Sequence, residues 1–179
     1  MKVLIAVTHL LGTGHLSRAL TLAKAFARAG HDAVVLSGGR AAPHLDASAV
    51  TLLQAPALAS DGINFARLLT NSGAEADAAY MADRQTFMLD ALNHHAPDVL
   101  ITELYPFGRR SLADEFLAIL DAAQQQSPRP VVLASIRDIL APPSKAAKAA
   151  RARDVLQAYY DGVLVHADAA VTRLDVSWP

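Results

Sequence analysis

Cysteine is missing from all 179 residues. Disulfides and thiolate metal sites are thereby excluded, and the composition suits a reducing cytoplasm, where the chain is expected to reside. A dominant charge sign is missing too. The 16 basic and 17 acidic side chains leave a net −1, so no basic field argues for nucleic acid. No apolar run approaches the ~20 residues that cross a bilayer. The N-terminus has one lysine and a short apolar run, which excludes a signal peptide. Internal repeats are absent, and the only biased stretch is the Ala/Lys/Arg run from Lys145 to Arg153. What is abundant is apolar surface: 53% of the residues are hydrophobic, enough for one sizeable core.

That apolar surface is arranged in short runs alternating with amphipathic ones. Lys2 to Thr8 reads as a strand, apolar on both faces and therefore central in a parallel sheet. A helix follows from Leu16 to Ala29, with Leu16, Leu20, Ala23 and Ala27 inward and Arg18, Thr21, Lys24 and Arg28 outward. Gly30 ends it. Further strands are expected at Asp32 to Ser37, Val50 to Gln54, Asp98 to Thr102, Pro130 to Ser135 and Val163 to His166. A brief helical excursion is expected around His44 to Ala47, and an irregular loop over Gln54 to Gly73. Longer helices are expected from Ala74 to His95, from Ser111 to Gln126 and from Ser144 to about Tyr160, with Ser111 and Ser144 at their starts. This alternation predicts an α/β fold with a doubly wound parallel sheet.

In such a sheet ligands bind beyond the carboxyl ends of the strands. Those ends carry the polar residues: Thr8 to His15, Ser37 to Arg40, Glu103 to Arg110 and Ser135 to Asp138. The first of them is a strand–turn–helix junction, Leu11-Gly12-Thr13-Gly14-His15. Gly12 and Gly14 are expected to take backbone conformations other residues resist and to let a ligand approach the main chain. The unpaired N–H groups of the helix start suit an anion. A dinucleotide reading is weak, because the third glycine of the fingerprint is replaced by Ser17 and no acidic residue ends the second strand. A phosphate-loop reading fails for want of Gly-Lys-Ser/Thr.

His15 is the side chain at this junction that moves a proton near neutral pH. It is read either as a base or as a residue that merely caps its own helix. Glu103 is read either as its partner or as the partner of Arg109 or Arg110. Arg137 and Asp138 supply one group for a ligand and one for a helix start. No metal site is expected, since the remaining histidines show no ligand spacing. The basic helix with Lys145, Lys148, Arg151 and Arg153 is a solvated face, with weak membrane-surface association as the minority reading.

The run Leu11-Gly12-Thr13-Gly14-His15-Leu16-Ser17-Arg18-Ala19-Leu20 after a first strand resembles the opening of GT-B glycosyltransferases, and more closely their MurG-like branch. Closer still is a bacterial group called predicted glycosyltransferases. The chain resembles it through Ser37-Gly38-Gly39, Pro43-His44-Leu45-Asp46, Ser60-Asp61-Gly62-Ile63-Asn64-Phe65, Thr102 to Arg110 and Ser135-Ile136-Arg137-Asp138-Ile139-Leu140. This resemblance implies a Rossmann-like N-terminal, acceptor-binding domain over residues 1–168. Residues 169–179 would begin a crossover toward a missing C-terminal, donor-binding domain. It implies hexosyl transfer from a nucleotide-diphosphate sugar, a UDP-sugar, to an acceptor hydroxyl, without a bound metal or other cofactor. His15 and Glu103 would be catalytic. Gly12, Thr13, Gly14, Arg137 and Asp138 would bind the donor as co-substrate. The isolated half would transfer nothing. Two rivals stay open: a non-catalytic nucleotide-binding module, and a UDP-sugar epimerase or hydrolase on the same scaffold.

Overall fold

The computed structural model describes residues 1–63, 67–143, 145–168, 170–171, 174–176 and 178. Its strands are β1 (Lys2–Val7), β2 (Asp32–Gly39), β3 (Thr51–Leu58), β4 (Val99–Glu103), β5 (Val131–Arg137) and β6 (Gly162–His166). Its helices are α1 (Gly14–Arg28), α2 (Ala78–His95), α3 (Ala113–Gln125) and α4 (Ala146–Tyr159). Every strand pair is parallel, and the order is β3-β2-β1-β4-β5-β6. The expected doubly wound sheet is therefore the observed one.

The alternation of side chains along each strand divides the core in two. Val3, Ile5 and Val7 of β1 face α1, which contributes Leu16, Ala19, Leu20 and Ala23. Leu4 and Ala6 face the other side, where Met88 and Leu92 of α2 and Phe116, Ile119 and Leu120 of α3 meet them. Val155, Tyr159 and Tyr160 extend that layer at α4. From Val3 to Val7, β1 is wholly buried, as a continuous apolar run in a central parallel strand should be.

Several elements differ from expectation. The stretch around His44 to Ala47 forms turns and no helix; Lys24 of α1 reaches across to Asp46 at 2.6 Å and ties this loop down. β3 continues to Leu58, past Pro56, because it runs along the sheet edge, where proline is tolerated. Ser111 does not cap α3. A 3-10 turn over Arg110–Leu112 leads in, and Asp114 and Glu115 stand in the first turn of the helix. α2 starts at Ala78, capped by Asp77, whose carboxylate accepts the Tyr80 N–H at 2.8 Å. Trp178 packs edge-on against Phe107 with ring centroids 5.2 Å apart. Ser144, Asn64 and Phe65 lie outside the described residues, as do Ala169, Thr172, Arg173, Ser177 and Pro179 within the expected crossover. Among the described residues no helix is long and apolar enough to cross a membrane.

The strand order reverses between β1 and β4. α1 leaves β1 toward one side of the sheet, and α3 leaves β4 toward the other. Two strand ends that diverge in this way leave a crevice between them.

Candidate functional site

The crevice is present as a cleft of about 350 Å³ lined by Leu11, Gly12, Gly14, His15, Arg18, Arg109 and Arg137. Its lining carries three arginines, one histidine and no carboxylate. Arg18 is offset by Glu103 and Arg137 by Asp138, so these charges at the strand ends are partly compensated just outside the lining.

Glu103 lies beneath this lining, at 1% exposure, as the last residue of β4. His15, in the first turn of α1, approaches it with Nδ1 2.9 Å from Oε1. Arg18, one turn further along α1, bonds the same oxygen. Ser135 of β5 donates its hydroxyl to Oε2 at 2.5 Å. The carboxylate can only accept, so His15 carries its hydrogen on Nδ1 and leaves a bare lone pair on Nε2. Nε2 has no hydrogen-bond partner among the described residues, and the ring borders the cleft at 25% side-chain exposure. Proton on the inner nitrogen and lone pair on the outer one is the arrangement a general base requires.

Of the two pairings open for Glu103, the contact with His15 is the one formed. Arg109 instead donates from Nε to the carbonyl of Thr8 at 2.6 Å. Its backbone sits at φ 59° and that of Leu104 at φ 70°, both in the left-handed region. The loop between them turns the Arg109 guanidinium back over the end of β1 and into the cleft. Burial lowers the pKa of that guanidinium, and the Glu103 charge partly offsets the effect.

The expected donor-binding residues divide. Gly12, Gly14 and Arg137 line the cleft; Thr13 and Asp138 do not. Thr13 directs its hydroxyl to Nε2 of His44 at 3.2 Å, and α1 therefore starts without a side-chain cap. Asp138 lies 3.6 Å from Nε of Arg137 and also accepts the Ile139 N–H. The two adjacent side chains, read in the sequence as serving separate ends, are thus in contact with each other. Nor do Gly12 and Gly14 adopt a left-handed backbone. What surrounds both is open space: no heavy atom comes within 4 Å of a β-carbon built on either.

Sequence reasoning misses Arg18 and His166. Periodicity puts Arg18 on the solvent face of α1, although a residue three places after His15 shares its side of a helix. His166, at the end of β6, has Nε2 2.9 Å from Ser135 Oγ. Among the described residues no cluster of three His, Cys, Asp or Glu is placed to hold a metal ion.

No protein-family model matches the chain, and no curated protein matches its sequence. Solved structures do match. A glycosyltransferase of Streptomyces sp. SF2575, SsfS6, aligns with a TM-score of 0.53 at 15% identity, over 92% of this chain and 49% of that one. The same protein complexed with thymidine diphosphate aligns at 0.48 and 17% identity, over 92% of this chain and 48% of that one. A glycosyltransferase from Rickettsia africae ESF-5 gives 0.49 and 14%, over 92% and 42%. The chain thus spans about half the length of the proteins it resembles. At such identities the likeness concerns the fold: a Rossmann-like α/β domain matching the N-terminal half of a GT-B glycosyltransferase.

Proposed function

We propose that the chain is the acceptor-side half of a glycosyltransferase, in the MurG-like branch of the GT-B enzymes and the bacterial group called predicted glycosyltransferases. It would act in the cytoplasm, with a C-terminal domain supplying most of the donor site. The contact between His15 Nδ1 and Glu103 Oε1 carries this reading, because it frees Nε2 at a cleft on the switch point of the sheet.

An acceptor hydroxyl placed against Nε2 loses its proton to His15 as its oxygen attacks the anomeric carbon of a UDP-hexose. The bond from that carbon to the diphosphate breaks, and the electron pair leaves with the nucleoside diphosphate. His15 becomes an imidazolium beside Glu103, whose carboxylate stabilises the new charge. Arg18 bonds the same oxygen and helps to hold the Glu103 carboxylate in place. Gly12 and Gly14, with the open N–H groups at the start of α1, would face the donor diphosphate together with Arg137, while Thr13, turned to His44, stays outside the cleft lining. Asp138 holds the Arg137 side chain.

The test uses the protein carrying both halves. UDP- and GDP-sugars are screened for a concentration-dependent rise in Tm, and transfer is then assayed with the best donor. His15→Ala is expected to lower turnover by ~10²-fold or more. Near-normal turnover in that variant removes His15 from the role of base.

A further inference from the structure

The hydrogen bonds at Glu103 continue beyond it. Oε1 meets His15 Nδ1 at 2.9 Å and the Arg18 guanidinium. Oε2 accepts from Ser135, and Ser135 Oγ lies 2.9 Å from Nε2 of His166. One line therefore runs from α1 through β4 and β5 to β6. Sheet register makes it possible, because Glu103 stands opposite Ser135, and Arg137, two residues on, stands opposite His166. Residues two apart on a strand share a face, so Ser135 and His166 meet on the side that α1 covers.

Counting hydrogens sets the direction of each bond. Serine has one hydroxyl hydrogen, and the carboxylate can only accept. Ser135 spends that hydrogen on Glu103 and must accept from His166, so His166 carries its hydrogen on Nε2. Burial holds the His166 pKa below its ordinary value, with the Arg18 charge acting in the same direction and Glu103 against it; the ring is neutral at pH 7. Ser135 and Glu103 are each 1% exposed. Water is kept from both, and a partner removed from either leaves a buried polar atom unsatisfied.

We propose that Ser135 and His166 are positioning residues for His15. They fix Oε2 of Glu103, which presents Oε1 to His15 Nδ1 and locks the imidazole in the tautomer whose Nε2 is bare at the cleft. Neither touches a substrate; both act through Glu103. The assignment rests on His15 being the base, while its physical part, the tautomer lock, is measurable without any transfer reaction.

Imidazole nitrogen NMR on the 15N-labelled chain reads that part directly. The unmodified chain is expected to show His15 as the Nδ1–H tautomer and His166 as the Nε2–H tautomer. In Ser135→Ala and His166→Ala, the Nε2–H form of His15 is expected to emerge as a second population. His166→Gln, whose amide nitrogen stands about where Nε2 stood, is expected to restore the original ratio. Circular dichroism establishes that each variant is folded; should Ser135→Ala fail to fold, the His166 pair decides alone. An unchanged His15 spectrum in folded His166→Ala overturns the proposal. In the transfer assay, both alanine variants are expected to lower kcat about tenfold with KM unchanged, and the double variant no further than either one, as for groups in one network. A confirmed tautomer lock with full turnover in His15→Ala would leave the chain of bonds standing and reject the base.

Discussion

Four glycines stand at the ends of β1 and β2 or in the turn beyond, Gly12 and Gly14 lining the cleft and Gly38 and Gly39 outside its lining, and the reasons for them differ residue by residue. Gly38 and Gly39 look in the sequence like a permissive turn, yet they close β2 with ordinary backbone angles. A β-carbon on Gly38 would overlap Thr8 Oγ1 and stand 2.7 Å from Arg84 Nη2; one on Gly39 would overlap the His9 carbonyl oxygen. These two are glycine because their neighbours fill the space. Gly12 and Gly14 are the reverse, with open space around them and the cleft beyond. Gly14→Ala, at the start of α1, is therefore expected to hold or raise stability, by up to ~1 kcal/mol, since alanine restricts the unfolded chain. Gly39→Ala is expected to cost ~1–3 kcal/mol or more, because a main-chain oxygen cannot move aside. Urea denaturation of both variants measures this, and equal stabilities would contradict it. No pattern in the sequence separates the two pairs, because the difference lies in what packs against them from Thr8 and His9, just past β1, and from α2. His15 and Glu103 were legible for the opposite reason. Each ends or follows an apolar strand run, and strand ends converge at a switch point whatever the side-chain detail.

At the scale of elements, α2 shows where apolar periodicity ceases to inform. Its seam of Met81, Met88 and Leu92 is visible in the sequence, and Met88 and Leu92 are fully buried. Arg84 shares that buried side at 0% exposure, where periodicity alone would place an apolar residue. Its Nε and Nη2 bond the two oxygens of Glu115 on α3 at 3.2 and 2.9 Å, and Nη1 donates to the carbonyls of Gly38 and Pro56. One side chain thus joins α2 to α3 and to the ends of β2 and β3. Its partner is 31 residues away in the chain, and only the folded arrangement of α2 against α3 pairs them. Arg84→Met leaves Glu115 buried without its cation and is expected to cost ~3–5 kcal/mol. Adding Glu115→Leu is expected to recover part of that loss; the two carbonyls stay unpaired, so recovery is incomplete. A urea series on the two variants decides it, and a loss below about 1 kcal/mol for Arg84→Met would show that the pair does not hold these elements together.

For the molecule as a whole, the doubly wound parallel sheet was the most legible feature, since it depends on many alternating apolar runs at once. The least legible was the coupling of the fold to protons. Three histidines are held below their ordinary pKa, and burial is the largest cause for each: His9 at the end of β1, His95 at the end of α2 and His166 at the end of β6. Asp32 works against burial at His95, and the Arg40 carbonyl works against it at His9. A histidine with a depressed folded pKa is neutral in the native state while its unfolded counterpart, with a pKa of about 6.5, is taking a proton. Below about pH 6.5 the unfolded chain therefore binds more protons than the native one, and stability falls as pH falls. Above about pH 7 both states are neutral at these sites and the contribution is fully present. Asp161 has its carboxylate held down chiefly by the Val132 N–H, with Arg129 adding to the effect, so it acts in the same sense at lower pH, below the ordinary carboxylate range. The urea midpoint is accordingly expected to stay level from about pH 8 to 7 and then decline steadily to about pH 5. His95→Gln, which cannot protonate, is expected to flatten part of that decline. A midpoint that instead rises as the pH falls from about 7 to 5 would show that these histidines gain a proton on folding.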